Sequence, residues 1–345
     1  MEPKVAFANG TFHPDEFKKS EYGKNAMRMQ KIVLEHPREP MHPEVLSYWE
    51  ACGAKKELYE AGTAHAWSVF TPLTMDRAGK YPLIYCSHGG GEDYYMAETY
   101  GYNFLVGPMQ VICVYPENGG PTNPQTESEF PRILDELEKM GYPIDRSRVY
   151  AVGFSAGSVA SLRLAMSCPK LLAGIGPVPG ANSFRGGILS SKLPSYAKTF
   201  GLQMPLICVG GLNDGGDAWP LSDDSEFDNF NLWMRTVGKV ADYAPMSVSR
   251  AAALADSEDS VKQKFGLDFP ETWIGYEEGT FWYCGQYYDD KQVPIARFED
   301  IDGLPHIHCL AQAWEIFSYL AQFSRNPDTG EILYTSSNIN HAKNS

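Results

Sequence analysis

Arg148-Val149-Tyr150-Ala151-Val152-Gly153-Phe154-Ser155-Ala156-Gly157 joins a short apolar run to a Gly-x-Ser-x-Gly pentapeptide, and a helix-forming stretch follows at once. The run reads as a buried strand, so the serine falls on a sharp strand-to-helix turn that holds its hydroxyl clear of the backbone. A serine hydroxyl is a poor nucleophile until a base takes its proton, and this turn is where such a base can reach it. The two glycines have a steric role. They flank the serine where strand and helix backbones crowd together, and a Cβ at either place would collide or disfavour the strained turn. The same pentapeptide also occurs in loops without chemistry, so other residues must decide.

Working outward, the same alternation continues. His65 to Phe70 looks like an early strand, while Pro82 to Ser87 and Val111 to Tyr115 are apolar runs of central-strand type. A helix is predicted from an N-cap at Ser128, with Phe130, Ile133, Leu134, Leu137 and Met140 on one stripe and Gly141 just past its end. The helix after the serine should stop near Cys168, because Pro169 cannot continue it comfortably. Ala173 to Val178 and Leu206 to Gly210 supply two further strands, and the last helix runs from Leu310 to about Phe323. Strands alternating with helices predict an α/β fold with a mostly parallel central sheet and helices on both faces. Residues 1–60 read as an extension packed on the main domain, with a helix near Glu44 to Glu60. Residues 61–330 form that domain, and 331–345 a polar, loosely held tail. From about 215 to 293 the rhythm breaks into acidic, aromatic-rich sequence, read as a cap or lid inserted above the sheet.

Composition narrows the partners. A formal charge of −14 and a pI near 5.0 argue against a nucleic-acid surface, since no cluster of Lys and Arg is present. Seven cysteines are an odd number, and Cys86, Cys113 and Cys208 lie inside apolar runs, so a disulfide framework is not expected. The amino terminus lacks the basic and apolar regions of a secretory signal, and no stretch approaches a membrane span. The expectation is a cytoplasmic protein with no membrane partner, with homo-oligomerisation left open.

In a doubly wound sheet the partners of Ser155 belong just beyond later strands. Asp214 is the first carboxylate after Leu206 to Gly210, and Asp217 is its alternative a few residues on. Asp302-Gly303-Leu304-Pro305-His306-Ile307-His308 holds the histidines. His306 is preferred because the preceding turn can present it over the sheet, and His308 reads as a capping or surface residue. The order Ser, Asp, His is that of an α/β-hydrolase. His88-Gly89-Gly90-Gly91 follows the Pro82 to Ser87 strand, and its glycines let backbone N–H groups approach an oxygen that becomes negative. Gly90, Gly91 and Ala156 are the expected donors, with His88 bracing the loop. Tyr94, Tyr95, Phe154, Trp219 and Trp282 are candidates for a substrate pocket, although each ring taken singly fits ordinary packing as well. The scheme needs no metal or organic cofactor.

Together these motifs resemble the α/β-hydrolase esterases grouped with feruloyl esterases, acetyl xylan esterases and polyhydroxybutyrate depolymerases. The likeness runs from about Ala64 to Arg325. It includes Gly174-Ile175-Gly176-Pro177-Val178-Pro179-Gly180 and the Leu304-Pro305-His306 turn ahead of a helix carrying Trp314 and Phe317. The resemblance implies hydrolysis of a carboxylic ester through an acyl-serine. The long amino-terminal segment and the 215–293 insertion depart from it and favour a small soluble ester as substrate. Acyl transfer from the same acyl-enzyme, short-peptide hydrolysis by the same triad, and a non-catalytic binding role are the rival readings.

Overall fold

The apolar runs become the middle of a ten-stranded sheet ordered β1-β2-β4-β3-β5-β6-β7-β10-β9-β8. The computed structural model describes residues 43–117, 125–185, 188–277 and 280–336. Most of the expected amino-terminal extension and residues 337–345 of the expected tail lie outside the described residues.

In chain order, α1 (Pro43–Ala51) leads to β1 (Ala54–Tyr59), β2 (Trp67–Pro72), β3 (Tyr81–Ser87) and β4 (Ile112–Pro116). Next come α2 (Thr126–Lys139), β5 (Ile144–Phe154), α3 (Ala156–Ser167), β6 (Gly174–Val178), α4 (Ile188–Thr199) and β7 (Leu206–Gly211). The later half holds α5 (Asp224–Trp233), α6 (Val248–Leu254), α7 (Ser260–Phe265), β8 (Glu271–Glu277), β9 (Thr280–Tyr288), β10 (Pro294–Ile301) and α8 (Leu310–Leu320). β4, β3, β5, β6, β7 and β10 run parallel, and β1, β2, β9 and β8 extend the two sides with antiparallel pairs. Every residue of β3, β4, β6, β7 and β10 is buried, as parallel strands must be when helices cover both faces. α2, α3, α4 and α5 pack side by side, and α8 lies against β6 and β7. This is an α/β-hydrolase fold.

Three expectations need correction. The segment near Glu44 to Glu60 is not one helix: α1 stops at Ala51, Gly53 turns the chain at φ 75°, and Ala54–Tyr59 joins the sheet. Tyr59 stacks on Trp67 at 4.4 Å, and the buried Lys56 ammonium pairs with Glu98 at 2.6 Å while Ser68 donates to the same carboxylate. Those tertiary contacts override the local helical pattern. The insertion is not wholly a lid either. Its β8–β9 hairpin continues the sheet beyond β10, and Phe230, Phe265 and Phe269 bury their rings around Phe298 and Trp219. Finally, part of the tail is fixed: β11 (Phe323–Arg325) pairs with β12 (Ile332–Tyr334), and buried Arg325 donates to the carbonyls of Leu172, Gln203 and Gly330. All seven cysteines are free thiols. Among the described residues no helix is long and apolar enough to cross a membrane.

Candidate active site

β5 ends at Phe154 and α3 begins at Ala156, leaving Ser155 as the single residue that turns the chain, at φ 52° and ψ −114°. A non-glycine residue with positive φ costs about 1–3 kcal/mol and persists only where its surroundings over-determine it. Here they do. The Ser155 N–H donates to Val178 of the neighbouring strand at 2.6 Å, and its carbonyl accepts from the Ser158 N–H at 2.9 Å and from the Ser158 hydroxyl at 2.6 Å. The flanking glycines are sterically obligatory. A Cβ on Gly153 would lie 2.9 Å from Gly157 Cα, and one on Gly157 would lie 2.7 Å from the Ser87 carbonyl carbon and 2.8 Å from His88 O.

Two later loops bring their groups to the same rim of the sheet. Asn213 N–H bonds Leu304 O at 3.0 Å and Leu212 N–H bonds Ile301 O at 3.0 Å, so the loops after β7 and β10 are tied together by their backbones. His306 Nδ1 then lies 2.6 Å from Asp214 Oδ1, with the carboxylate 2% exposed and the imidazole 37% exposed. Burial lifts the Asp214 carboxyl above its ordinary value, and His306 offsets part of that effect. With Nδ1 donating to Asp214, Nε2 is left as the ring nitrogen that can accept a proton. The imidazole packs against Phe154, ring centroids 4.7 Å apart, which places it over the residue next to Ser155. Ser155 Oγ itself makes no hydrogen bond among the described residues.

Asp217, the alternative acid, is 3.6 Å from the same Nδ1 and faces Arg185 at 3.4 Å. Asp214, Asp217 and His306 present three ligand-type atoms within 4.8 Å of one another. The short Asp214–His306 bond and the Arg185 guanidinium give each of the three a partner within the protein.

On the other side of Ser155, a Cβ built on Gly90 would sit 3.6 Å from Ala156 Cβ, so the glycine loop and the start of α3 adjoin. Gly91 adopts φ 74° with open space around it. The Gly89 N–H is engaged by Glu92 Oε2 at 2.8 Å and Tyr100 Oη at 3.0 Å. The N–H groups of Gly90 and Gly91 have no partner among the described residues. His88 braces this loop, its ring nitrogens facing Gly89 O at 2.7 Å and Glu117 O at 2.6 Å.

The pocket candidates separate. Tyr94 and Tyr95 line a cavity of about 420 Å³ with Asp93, Glu117 and the connection between β1 and β2 from Leu58 to Ala66; Ser155, His306 and the glycine loop are not in its lining. Phe154 lies under His306. Trp219 is 7% exposed and enclosed by Phe184, Phe230, Phe265 and Phe298, so it belongs to the core; Trp282, 6% exposed and opposite Ile301, is likewise buried. Both are pocket candidates in the sequence because loop position alone does not distinguish a lining ring from a core ring.

His308 is also corrected. It is neither a cap nor a surface residue: Cys309 is the N-cap of α8, and the His308 ring is 3% exposed, stacked on Tyr100 at 5.0 Å and edge-on to Tyr102 at 5.3 Å. Burial pushes its pKa down to about 3, with the backbone of Cys309 and Tyr100 opposing the shift. Sequence reasoning missed Glu92, Tyr100 and Arg185. Only Glu92 carried a local signal, three residues after the first glycine of the loop.

No protein-family model matches the chain, and no curated protein matches it. Solved structures do. The acetyl xylan esterase from Aspergillus awamori superposes with a TM-score of 0.50 at 10% identity, covering 77% of this chain and 99% of that one. The feruloyl esterase module from Clostridium thermocellum complexed with sinapinate gives 0.44 at 16% identity, covering 78% and 87%. A thermostable esterase gives 0.38 at 21% identity over 48% of each chain, so this chain spans about half of that protein's length. At these identities the likeness is one of fold, the α/β-hydrolase fold that the sheet order and the elbow already define.

Proposed function

We propose that the protein is a serine carboxylic-ester hydrolase that works through an acyl-serine. The observation that carries the reading is the 2.6 Å bond between His306 and a buried Asp214, set over an elbow that holds Ser155 at positive φ. In this scheme Asp214 fixes the imidazole tautomer and stabilises the imidazolium, while Nε2 takes the Ser155 proton as the hydroxyl attacks the ester carbonyl. Rotation of the Ser155 side chain toward Nε2 closes the remaining gap, as is usual on passing from a free site to a substrate complex. The N–H groups of Gly90, Gly91 and Ala156 receive the oxyanion. The imidazolium then protonates the departing alcohol, and His306 activates the water that releases the acid.

The substrate class we propose is a small or aryl ester of the hydroxycinnamoyl type, following the resemblance of the elbow and glycine-loop motifs to the feruloyl and acetyl xylan esterases. A fluorophosphonate probe should label Ser155 in wild type and not in Ser155→Ala, and a panel of acetyl, butyryl and hydroxycinnamoyl esters should rank the acyl groups. Absence of both labelling and turnover in folded protein would overturn the hydrolase reading.

A further inference from the structure

We propose that Tyr100 is a positioning residue for the oxyanion loop, acting with Glu92 to aim the Gly90 and Gly91 N–H groups. The inference rests on the hydrolase reading above. A three-glycine loop has many accessible conformations, and an oxyanion site works only when its donors are already aimed. Something must therefore hold the loop.

Glu92 and Tyr100 do so at its first peptide. The Gly89 N–H is shared between Glu92 Oε2 and Tyr100 Oη, and the Tyr100 hydroxyl in turn donates to that same Glu92 oxygen. Burial and the adjacent carboxylate push the Tyr100 phenol well above its ordinary range, so it keeps the proton it donates. The triangle removes Gly89 from competition for the ligand. It also fixes the plane of the peptide from which Gly90 and Gly91 follow.

Tyr100 is 3% exposed, and its ring joins the three parts of the site. It meets Phe154, the residue before the nucleophile, edge-on at 5.5 Å. Its other contact is with His308, two residues after the base, stacked at 5.0 Å with 6° between planes. The next residue, Gly101, has φ 109°, and a Cβ there would lie 2.7 Å from Leu310 Cα, so the backbone bearing Tyr100 is pressed against the start of α8. A hydroxyl on a ring held this firmly is a fixed reference point for a loop that has little stiffness of its own.

The test compares Tyr100→Phe and Glu92→Gln with wild type on a short aryl ester. Contacts to an oxyanion strengthen in the transition state, so kcat should fall by about 10- to 100-fold with KM within about threefold. Affinity for a trifluoromethyl ketone, which forms a tetrahedral adduct, should weaken by the same factor, while affinity for the product carboxylate stays unchanged. Circular dichroism and thermal midpoints show whether each variant is folded; Glu92→Gln keeps the side-chain volume and serves if Tyr100→Phe is not. A folded variant with kcat within threefold of wild type, or with only KM raised, overturns the positioning role. Wild type that neither turns over esters nor takes the fluorophosphonate label instead overturns the hydrolase reading.

Discussion

His308 should make the fold acid-sensitive in a way that can be isolated. Its ring is buried among Tyr100, Tyr102 and Phe154, and its pKa falls from 6.5 to about 3. An unfolded chain takes up a proton at this residue near its ordinary value, whereas the folded chain refuses it until far lower pH. The stability linked to His308 is therefore intact above pH 6.5 and drains away as pH falls toward 3. Within that window each pH unit costs about 1.4 kcal/mol, so folding should be about 2.7 kcal/mol weaker at pH 4.5 than at pH 8 from this residue alone. Carboxylates titrate in the same range, so the quantity to follow is the stability difference between wild type and His308→Gln, measured by urea unfolding at a series of pH values. The variant loses packing at every pH, which shifts the difference by a constant; the slope belongs to the histidine. A difference that stays level within about 0.5 kcal/mol from pH 8 to 4.5 would refute the argument.

Gly157→Ala should lower kcat/KM by about 10²-fold or more, because the new Cβ collides with the Ser87 and His88 backbone and displaces the oxyanion loop; turnover of an aryl ester with a parallel melt checks it. Lys56→Met strands the buried Glu98 carboxylate and should cost about 3–5 kcal/mol by denaturant unfolding, with Lys56→Met/Glu98→Gln recovering much of the loss. Trp219→Phe should lower the unfolding midpoint yet leave the ranking in an acyl-ester panel unchanged, since this ring sits in the core. A reordered panel would place Trp219 against substrate after all.

The sequence made some of this legible and hid the rest for physical reasons. Strands such as Leu206–Gly211 and helices such as Ala156–Ser167 write their own signals, through unbroken apolar runs and a proline stop, and their bounds lie close to the expected ones. Ser155, Asp214 and His306 could be singled out as candidates because each follows a strand end, and the structure brings Asp214 and His306 into hydrogen-bond contact. Burial could not be read at Trp219, Trp282 or His308, where the deciding neighbours lie far along the chain: His308 meets Tyr102 across 206 residues. The strand at Ala54–Tyr59 was hidden because its support is tertiary: Lys56 pairs with Glu98 across 42 residues, and the whole strand pairs with Trp67–Pro72.

The placement of β10 has a consequence for the nascent chain. This strand, synthesised after the other nine of its sheet, lies between β7 and β9. Until it arrives, β7 presents an open edge, the β8–β9 ribbon has nothing to attach to, and His306, the proposed base, is still to be delivered. Closing that gap requires contacts between distant segments, the slow step in assembling sheets of this kind. Chemical competence is thereby timed to the completion of the architecture, and a truncated product ending short of Pro294 would be inert as well as prone to edge-to-edge association.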